Sequence, residues 1–293
     1  MIAKMKKITV FGATGMLGKP VVRELADAGF EVSALVRSPE KARAVLPASV
    51  NLIKGDLKNK QDVERALETA EGVYLNLSVP PESAPIDFQP EREGLKTVLE
   101  VAKAANVRRI GYLSSIVKRH QGANNFHWWA FDVKNQAVEM IKQSGAPYAI
   151  FYPSSFMENF AGGYRQGNKL MLAGESKFPM YFIAGADYGK QVARSFQILT
   201  DENREYDVQG LEAFTADEAA KVFAENYQRE KLKISKTPLF VLKAAGLFNR
   251  KMANITKIIE ALNDYEERFT SEKTWQELGK PTITLAEYAR KSG

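Results

Sequence analysis

Apolar residues in the first half of the chain fall in short β-branched runs separated by amphipathic stretches of helical period. The run at 8–11 enters a turn. Residues 16–28 follow with apolar positions at Leu17, Val21, Val22, Leu25 and Ala26, the spacing of a helix with one inward face, ending at Gly29. Strands are predicted at 31–36, 50–54 and 72–78, the last read as fully apolar. Helices are predicted at 38–46, with Ser38 as N-cap and Pro39 at the first helical position, and at 59–69. After a proline-rich loop at 79–90 come a long helix to Ala105, a strand at 109–114, a helix at 128–143 closed by Gly145, and a strand at 148–152. Strands that alternate with helices and read as continuous apolar runs predict an α/β fold, a doubly wound parallel sheet covered on both faces.

Past Pro153 the rhythm changes. Aromatics cluster at Phe156, Phe160, Tyr164, Phe178, Tyr181 and Phe182, with glycines between them, which suits either a wall over a flat apolar ligand or a core between lobe and sheet. Asp187 is expected to cap a helix over 188–199, and 205–208 is a candidate strand. Thr215 and Glu218 have capping-box spacing at the head of a helix to about Gln228. Residues 232–293 read as mainly helical, with a turn at Gly279 to Pro281. The expected division is a nucleotide-binding domain over 1–155 and a smaller substrate or lid lobe, mainly helical, over 156–293, some of whose elements return to the sheet.

Composition narrows the chemistry. The chain has 293 residues, no cysteine and two histidines, so thiol nucleophiles and cysteine-ligated metals are excluded and a histidine-rich metal site is not expected. Lysines at Lys4, Lys6 and Lys7 precede an apolar run too short for a signal or membrane span, so a cytoplasmic protein is expected. The 41 basic and 35 acidic residues are dispersed and mixed in sign, which reads as a solvated surface tolerant of anionic ligands and not as a nucleic-acid surface.

The candidate chemistry starts at ITVFGATGMLG, 8–18. Gly12 allows a tight exit from the strand, Gly15 a close backbone approach to a pyrophosphate, and Gly18 close packing of the helix whose free N–H groups face the anion. Gly12, Thr14, Gly15, Met16 and Leu17 are therefore expected to grip the phosphates of a dinucleotide. Arg37 ends the second strand, where the adenosine ribose lies in such folds. An acid there would accept from a 2′-hydroxyl, whereas arginine offers a planar donor fork for a 2′-phosphate, so NADP(H) is expected to be preferred over NAD(H). Ser38 and Lys41 can add a hydroxyl and a charge. Asp56 can accept from the adenine amino group while Leu57 covers the ring, although Asp56 also suits a turn. Leu77, Ser78 and Val79, at the carboxyl edge of the sheet, should line the middle of the cofactor.

GATGMLG, Arg37, GDL at 55–57, YLSS at 112–115 and YPSSFMENF at 152–160 together resemble the NmrA-like family of atypical short-chain dehydrogenases/reductases, over roughly the first 200 residues and more loosely in the tail. The resemblance implies a Rossmann-type fold and a bound NAD(P) cofactor. It maps Lys134 onto the lysine of the Tyr-x-x-x-Lys pair that short-chain reductases use, and Ser154, Ser155 and Phe156 onto the loop beside the nicotinamide, with Asn159 in the same motif. Four residues before Lys134 stands Ala130, so the proton-donating phenol is missing. Ser114 and Ser115 can hold a substrate carbonyl or satisfy local backbone. His127 is a candidate substitute donor or a plain end-of-loop residue. Two outcomes follow from the resemblance: hydride transfer from NADPH to a small planar apolar acceptor such as a quinone, with water or Lys134 as proton source, or NADPH sensing without turnover coupled to a protein partner. Neither nucleic acid nor membrane is an expected partner.

Overall fold

The computed structural model describes residues 5–198 and 202–292. Lys4, the predicted helix end at Leu199, and the terminal Gly293 lie outside the described residues. The first half runs β1 (Lys7–Phe11), α1 (Gly18–Asp27), β2 (Glu31–Val36), α2 (Pro39–Arg43), β3 (Asn51–Lys54), α3 (Lys60–Leu67), β4 (Gly72–Leu75), a π-helical turn at Pro90–Gly94, α4 (Leu95–Ala104), β5 (Arg109–Leu113), α5 (Trp129–Gln143) and β6 (Tyr148–Pro153). The second half runs α6 (Glu158–Ala161), β7 (Arg165–Gln166), β8 (Lys169–Ala173), β9 (Met180–Tyr181), α7 (Gly185–Gln197), β10 (Arg204–Val208), β11 (Ala213–Phe214), α8 (Ala216–Asn226), β12 (Lys233–Thr237), α9 (Leu239–Gly246), α10 (Arg250–Asp264), α11 (Glu272–Leu278) and α12 (Leu285–Lys291).

Among the described residues the central sheet has seven strands in the order β10-β6-β5-β4-β1-β2-β3, all parallel. This is the doubly wound Rossmann-type arrangement that alternating strands and helices predict. The order reverses between β1 and β4, which makes the carboxyl ends of those two strands the switch point where ligands bind in such sheets. β4 is shorter than the apolar pattern suggested. It ends at Leu75 because Asn76 uses its side chain, Nδ2 donating to the Gly12 carbonyl at 3.1 Å, to tie the two strand exits together.

The later half is fastened to this sheet. β10 extends it beside β6, in register Arg204 with Ala149. α7 lies along α1, and its Tyr188 hydroxyl meets that of Tyr74 on β4 at 2.8 Å in the core. Asp187 does not cap α7. It sits inside the first turn, nearly fully buried, and accepts hydrogen bonds from the backbone of Thr282 and Ile283, so it anchors the tail. The box of Thr215 and Glu218 does cap α8. The segment after Leu232 opens with a strand and not a helix: β12 pairs in parallel with β8 in a separate, three-stranded sheet. Phe160 and Phe182 are buried with Phe223 in the core of this part, so most of the aromatic cluster is packing.

Candidate functional site

A cleft of about 1070 Å³ opens at the carboxyl ends of the central strands and follows the sheet across the switch point. The first glycine turn forms its floor. Gly12 has φ +79°, and a Cβ there would stand 2.1 Å from the Asn76 carbonyl oxygen. The Gly15 N–H donates to the Gly12 carbonyl at 3.1 Å. A Cβ on Gly18 would meet that same carbonyl at 2.1 Å, so the third glycine lets α1 begin against the turn itself. Gly12, Thr14, Gly15, Met16 and Leu17 all line the cleft. This backbone, too tight for side chains at two positions and followed at once by a helix N-terminus, fits a pyrophosphate.

At one end the wall is formed by Arg37, Asp56, Leu57 and Lys58. Ser38 and Lys41 are absent from it. The Ser38 hydroxyl instead caps α2 by accepting from the Lys41 N–H, and Lys41 is an exposed residue of that helix. Asp56 is a turn residue whose Oδ1 accepts from the Lys58 N–H at 3.0 Å, and it also lines the cleft. Leu77 and Ser78 line the middle, while Val79 is not part of the lining. The loop at 80–90 supplies the outer wall through Pro80, Glu82, Ser83, Asp87, Phe88 and Pro90.

At the other end stand Ser114, Ser115, Lys134, Ser154, Phe156 and Asn159. Lys134 Nζ is 2.7 Å from Oε1 of Glu91, and the Tyr112 hydroxyl donates to the same oxygen at 2.7 Å. Glu91 is fully buried on the π-helical turn, and its second oxygen has no partner. Burial, reinforced by the Glu91 carboxylate, pushes the Tyr112 phenol well above its ordinary range, so it stays a neutral donor. A charged, buried acceptor thus fixes the lysine at the edge of the cleft. The Ser114 hydroxyl is buried and makes no well-formed hydrogen bond, only a loose approach to the Tyr112 phenol, which leaves it available to a ligand.

Backbone alternation after β6 separates the two adjacent serines. Ser154 faces the cleft and donates to Glu267 Oε2 at 2.7 Å, whereas Ser155 is outside the lining and donates to the Met180 sulfur at 3.2 Å. The Ser155 side chain therefore packs at the join between β6 and the later half. His127 is also removed from the candidates: its side chain is 69% exposed, it pairs with Asp132 at 3.0 Å, and it does not line the cleft. Ala130 is buried, and neither tyrosine nor histidine occurs among the described lining residues. The groups that can hand over a proton at this end are Lys134 and the serine hydroxyls.

Sequence reasoning missed Asn76, Glu91 and the wall at 80–90. Asn76 was visible as a polar residue inside an otherwise apolar run. The partnership of Glu91 with Lys134 spans 43 positions and leaves no local pattern.

Sheet order, glycine turn and cleft define a Rossmann-type α/β protein with its ligand groove at the switch point. The chain belongs to the NmrA-like family, whose profile matches residues 4–289. It is 31% identical over 215 residues to a (4-alkanoyl-5-oxo-2,5-dihydrofuran-3-yl)methyl phosphate reductase of Streptomyces griseus, covering 72% of this chain and 70% of that protein. It is 26% identical over 241 residues to the photosystem II assembly factor Ycf39 of Trieres chinensis, covering 80% and 73%. In structure it is similar to the NADPH-dependent quinone oxidoreductase QOR2 of Escherichia coli complexed with NADPH, with a TM-score of 0.71, 22% identity and coverage of 97% and 99%.

Proposed function

We propose that this protein is an NADP(H)-dependent oxidoreductase that reduces a small planar acceptor such as a quinone. The observation that carries the reading is the continuity of one cleft, from Arg37 past the glycine turn to Ser114 and Lys134. Each part matches a part of an extended dinucleotide: a guanidinium for a 2′-phosphate, a bare backbone for the pyrophosphate, and a fixed ammonium with free hydroxyls at the reactive end. The E. coli relative named as bound to NADPH and the S. griseus relative named as a reductase support it. Residues 1–155 hold the cofactor in this reading, and 156–293 shape the acceptor end through Phe156 and Asn159.

The cofactor, when bound, supplies a hydride. Lys134 orients the nicotinamide ribose, and Glu91 together with Tyr112 keeps its ammonium from swinging into solvent. Ser114 is placed to donate a hydrogen bond to an acceptor oxygen, and Phe156 offers an apolar face to a flat ring. Protonation of the reduced oxygen comes from Lys134 or from water entering the open cleft, which suits an acceptor that needs little acid assistance.

The absence of a phenol from the cleft lining favours one other reading, a cofactor-sensing protein that acts on a protein partner. The Ycf39 relatives, named as assembly factors, support it. Steady-state NADPH oxidation across a quinone panel, with wild type and Ser114→Ala, decides. Saturable turnover weakened by the substitution supports the reductase. Tight NADPH binding with no turnover on any acceptor transfers the assignment to the sensor.

A further inference from the structure

Residues 231–259 contain seven lysines and arginines and no aspartate or glutamate. They form β12, α9 and most of α10, and α9, with sequence LFVLKAAG, is the most apolar of the described helices although none of its residues is buried. Phe240 is 71% exposed, and at the corner between α9 and α10 Leu247 and Phe248 are 80% and 92% exposed. A helix apolar on all sides belongs inside a protein or against lipid, and a cluster this exposed marks an interaction surface.

The corner is rigidly mounted. α10 buries Asn254, Thr256, Ala261 and Asn263 on its inner face, and Asn254 accepts from the Trp128 indole and donates to the carbonyls of Pro81 and Ser83. α9 is therefore held outward as a projecting layer. Lys236 is neutralised by Asp217, and Lys243 and Lys257 by Glu260. Arg250 and Lys251, next to the exposed Leu247 and Phe248, have no carboxylate partner among the described residues.

From the exposed Leu247 and Phe248 seated beside the unpaired Arg250 and Lys251 on a projecting corner, we infer that the α9–α10 hairpin is a docking surface for an anionic lipid bilayer. A protruding tip of two large apolar side chains reaches the acyl boundary, while the adjacent cations reach the phosphate layer, and an anionic membrane is the surface that satisfies both at one depth. No described helix is long and apolar enough to cross a membrane, so the attachment is to one face.

The test is sedimentation of the full chain with vesicles of phosphatidylcholine alone or mixed with phosphatidylglycerol, at low and high salt. Wild type should sediment with the anionic vesicles, less with the neutral ones, and less at high salt. Leu247→Ser/Phe248→Ser and Arg250→Glu/Lys251→Glu should each weaken that binding about ten-fold or more, with unchanged circular dichroism because all four side chains are exposed. No sedimentation with anionic vesicles overturns the inference. So does binding that neither double variant alters, or vesicle-independent self-association that the apolar variant abolishes, which would make a second copy the occupant. Vesicle binding is read without turnover, so its failure leaves the reductase assignment standing.

Discussion

Lys134 Nζ lies 2.7 Å from Oε1 of Glu91, and the glutamate side chain has no solvent exposure while the lysine retains 18%. Removing the partner of a buried charge leaves that charge uncompensated, which costs about 3–5 kcal/mol. Lys134→Ala should therefore lower unfolding stability by roughly 3 kcal/mol, and Lys134→Ala/Glu91→Gln should recover part of the loss, because the buried position no longer carries a charge. Urea unfolding of the three proteins measures both. Equal stability of Lys134→Ala and wild type would show that Glu91 does not hold the lysine. Activity losses in Lys134→Ala must be read at a temperature where the variant is folded.

Arg37 is exposed at the end of β2 and lines the cleft, with Ser38 and Lys41 turned to other tasks. In the proposed reading, recognition of a 2′-phosphate would thus rest mainly on one guanidinium, with Lys58 lining the same cleft. A charge-assisted contact of this kind contributes about 1.5–3 kcal/mol, so Arg37→Asp should weaken NADPH binding ten- to hundred-fold, roughly as that energy implies, and leave NADH binding equal or improved. Fluorescence titration with both nucleotides gives the answer. An unchanged preference would remove the 2′-phosphate assignment.

What was legible in the sequence was whatever local backbone demands write into local composition. Strand–helix alternation determines the sheet, and the capping box of Thr215 and Glu218 marks the start of α8, because both act over a few residues. The glycine turn was legible for the same reason. Glu91 was not, since its significance comes from Lys134 and Tyr112, which reach it from other elements. Ser154 and Ser155 stand together in one motif, yet an extended chain sends their side chains to opposite sides, so only Ser154 lines the cleft. Asp187 resembled a cap by position, yet its acceptors serve the tail nearly a hundred residues later. The basic, acid-free stretch at 231–259 was readable but averages out against the mixed charges of the whole chain.

Gly12 and Gly29 separate two costs that both follow from positive φ. At Gly29, with φ +87°, an added Cβ would meet nothing within 4 Å, whereas at Gly12, with φ +79°, it would press onto the Asn76 carbonyl. Gly29→Ala should cost only the conformational penalty, about 1 kcal/mol. Gly12→Ala adds a clash that must open the junction of β1 and β4, so it should cost about 3 kcal/mol or more and abolish nucleotide binding. Thermal unfolding with and without NADPH distinguishes them: the Gly29 variant should keep its ligand-induced stabilisation and the Gly12 variant should lose it. Retained binding in Gly12→Ala would place the phosphates elsewhere.

Glu267 links the cleft wall to the pH dependence of folding. It is buried, accepts hydrogen bonds from Ser154 and Gln209 at 2.7 and 2.6 Å, and burial pushes its carboxyl up to about 7 despite those bonds. Because the folded value is raised, the folded state holds a proton that the unfolded chain releases between pH of about 4.5 and about 7. Stability from this group is therefore unaffected below that window, falls as pH rises through it, and is level above it. At 1.36 kcal/mol per unit the fall amounts to about 3 kcal/mol at most. Glu267→Gln keeps an acceptor for the Gln209 amide and lets Ser154 turn its hydroxyl, but carries no titrating proton. The difference in unfolding free energy between wild type and Glu267→Gln should therefore shift by about that amount in favour of the variant from pH 5 to pH 8, while other titrating groups cancel in the difference. A constant difference across this range would mean that Glu267 is ionised in the folded protein throughout, and that the Ser154 hydroxyl at the cleft is held by a permanent carboxylate.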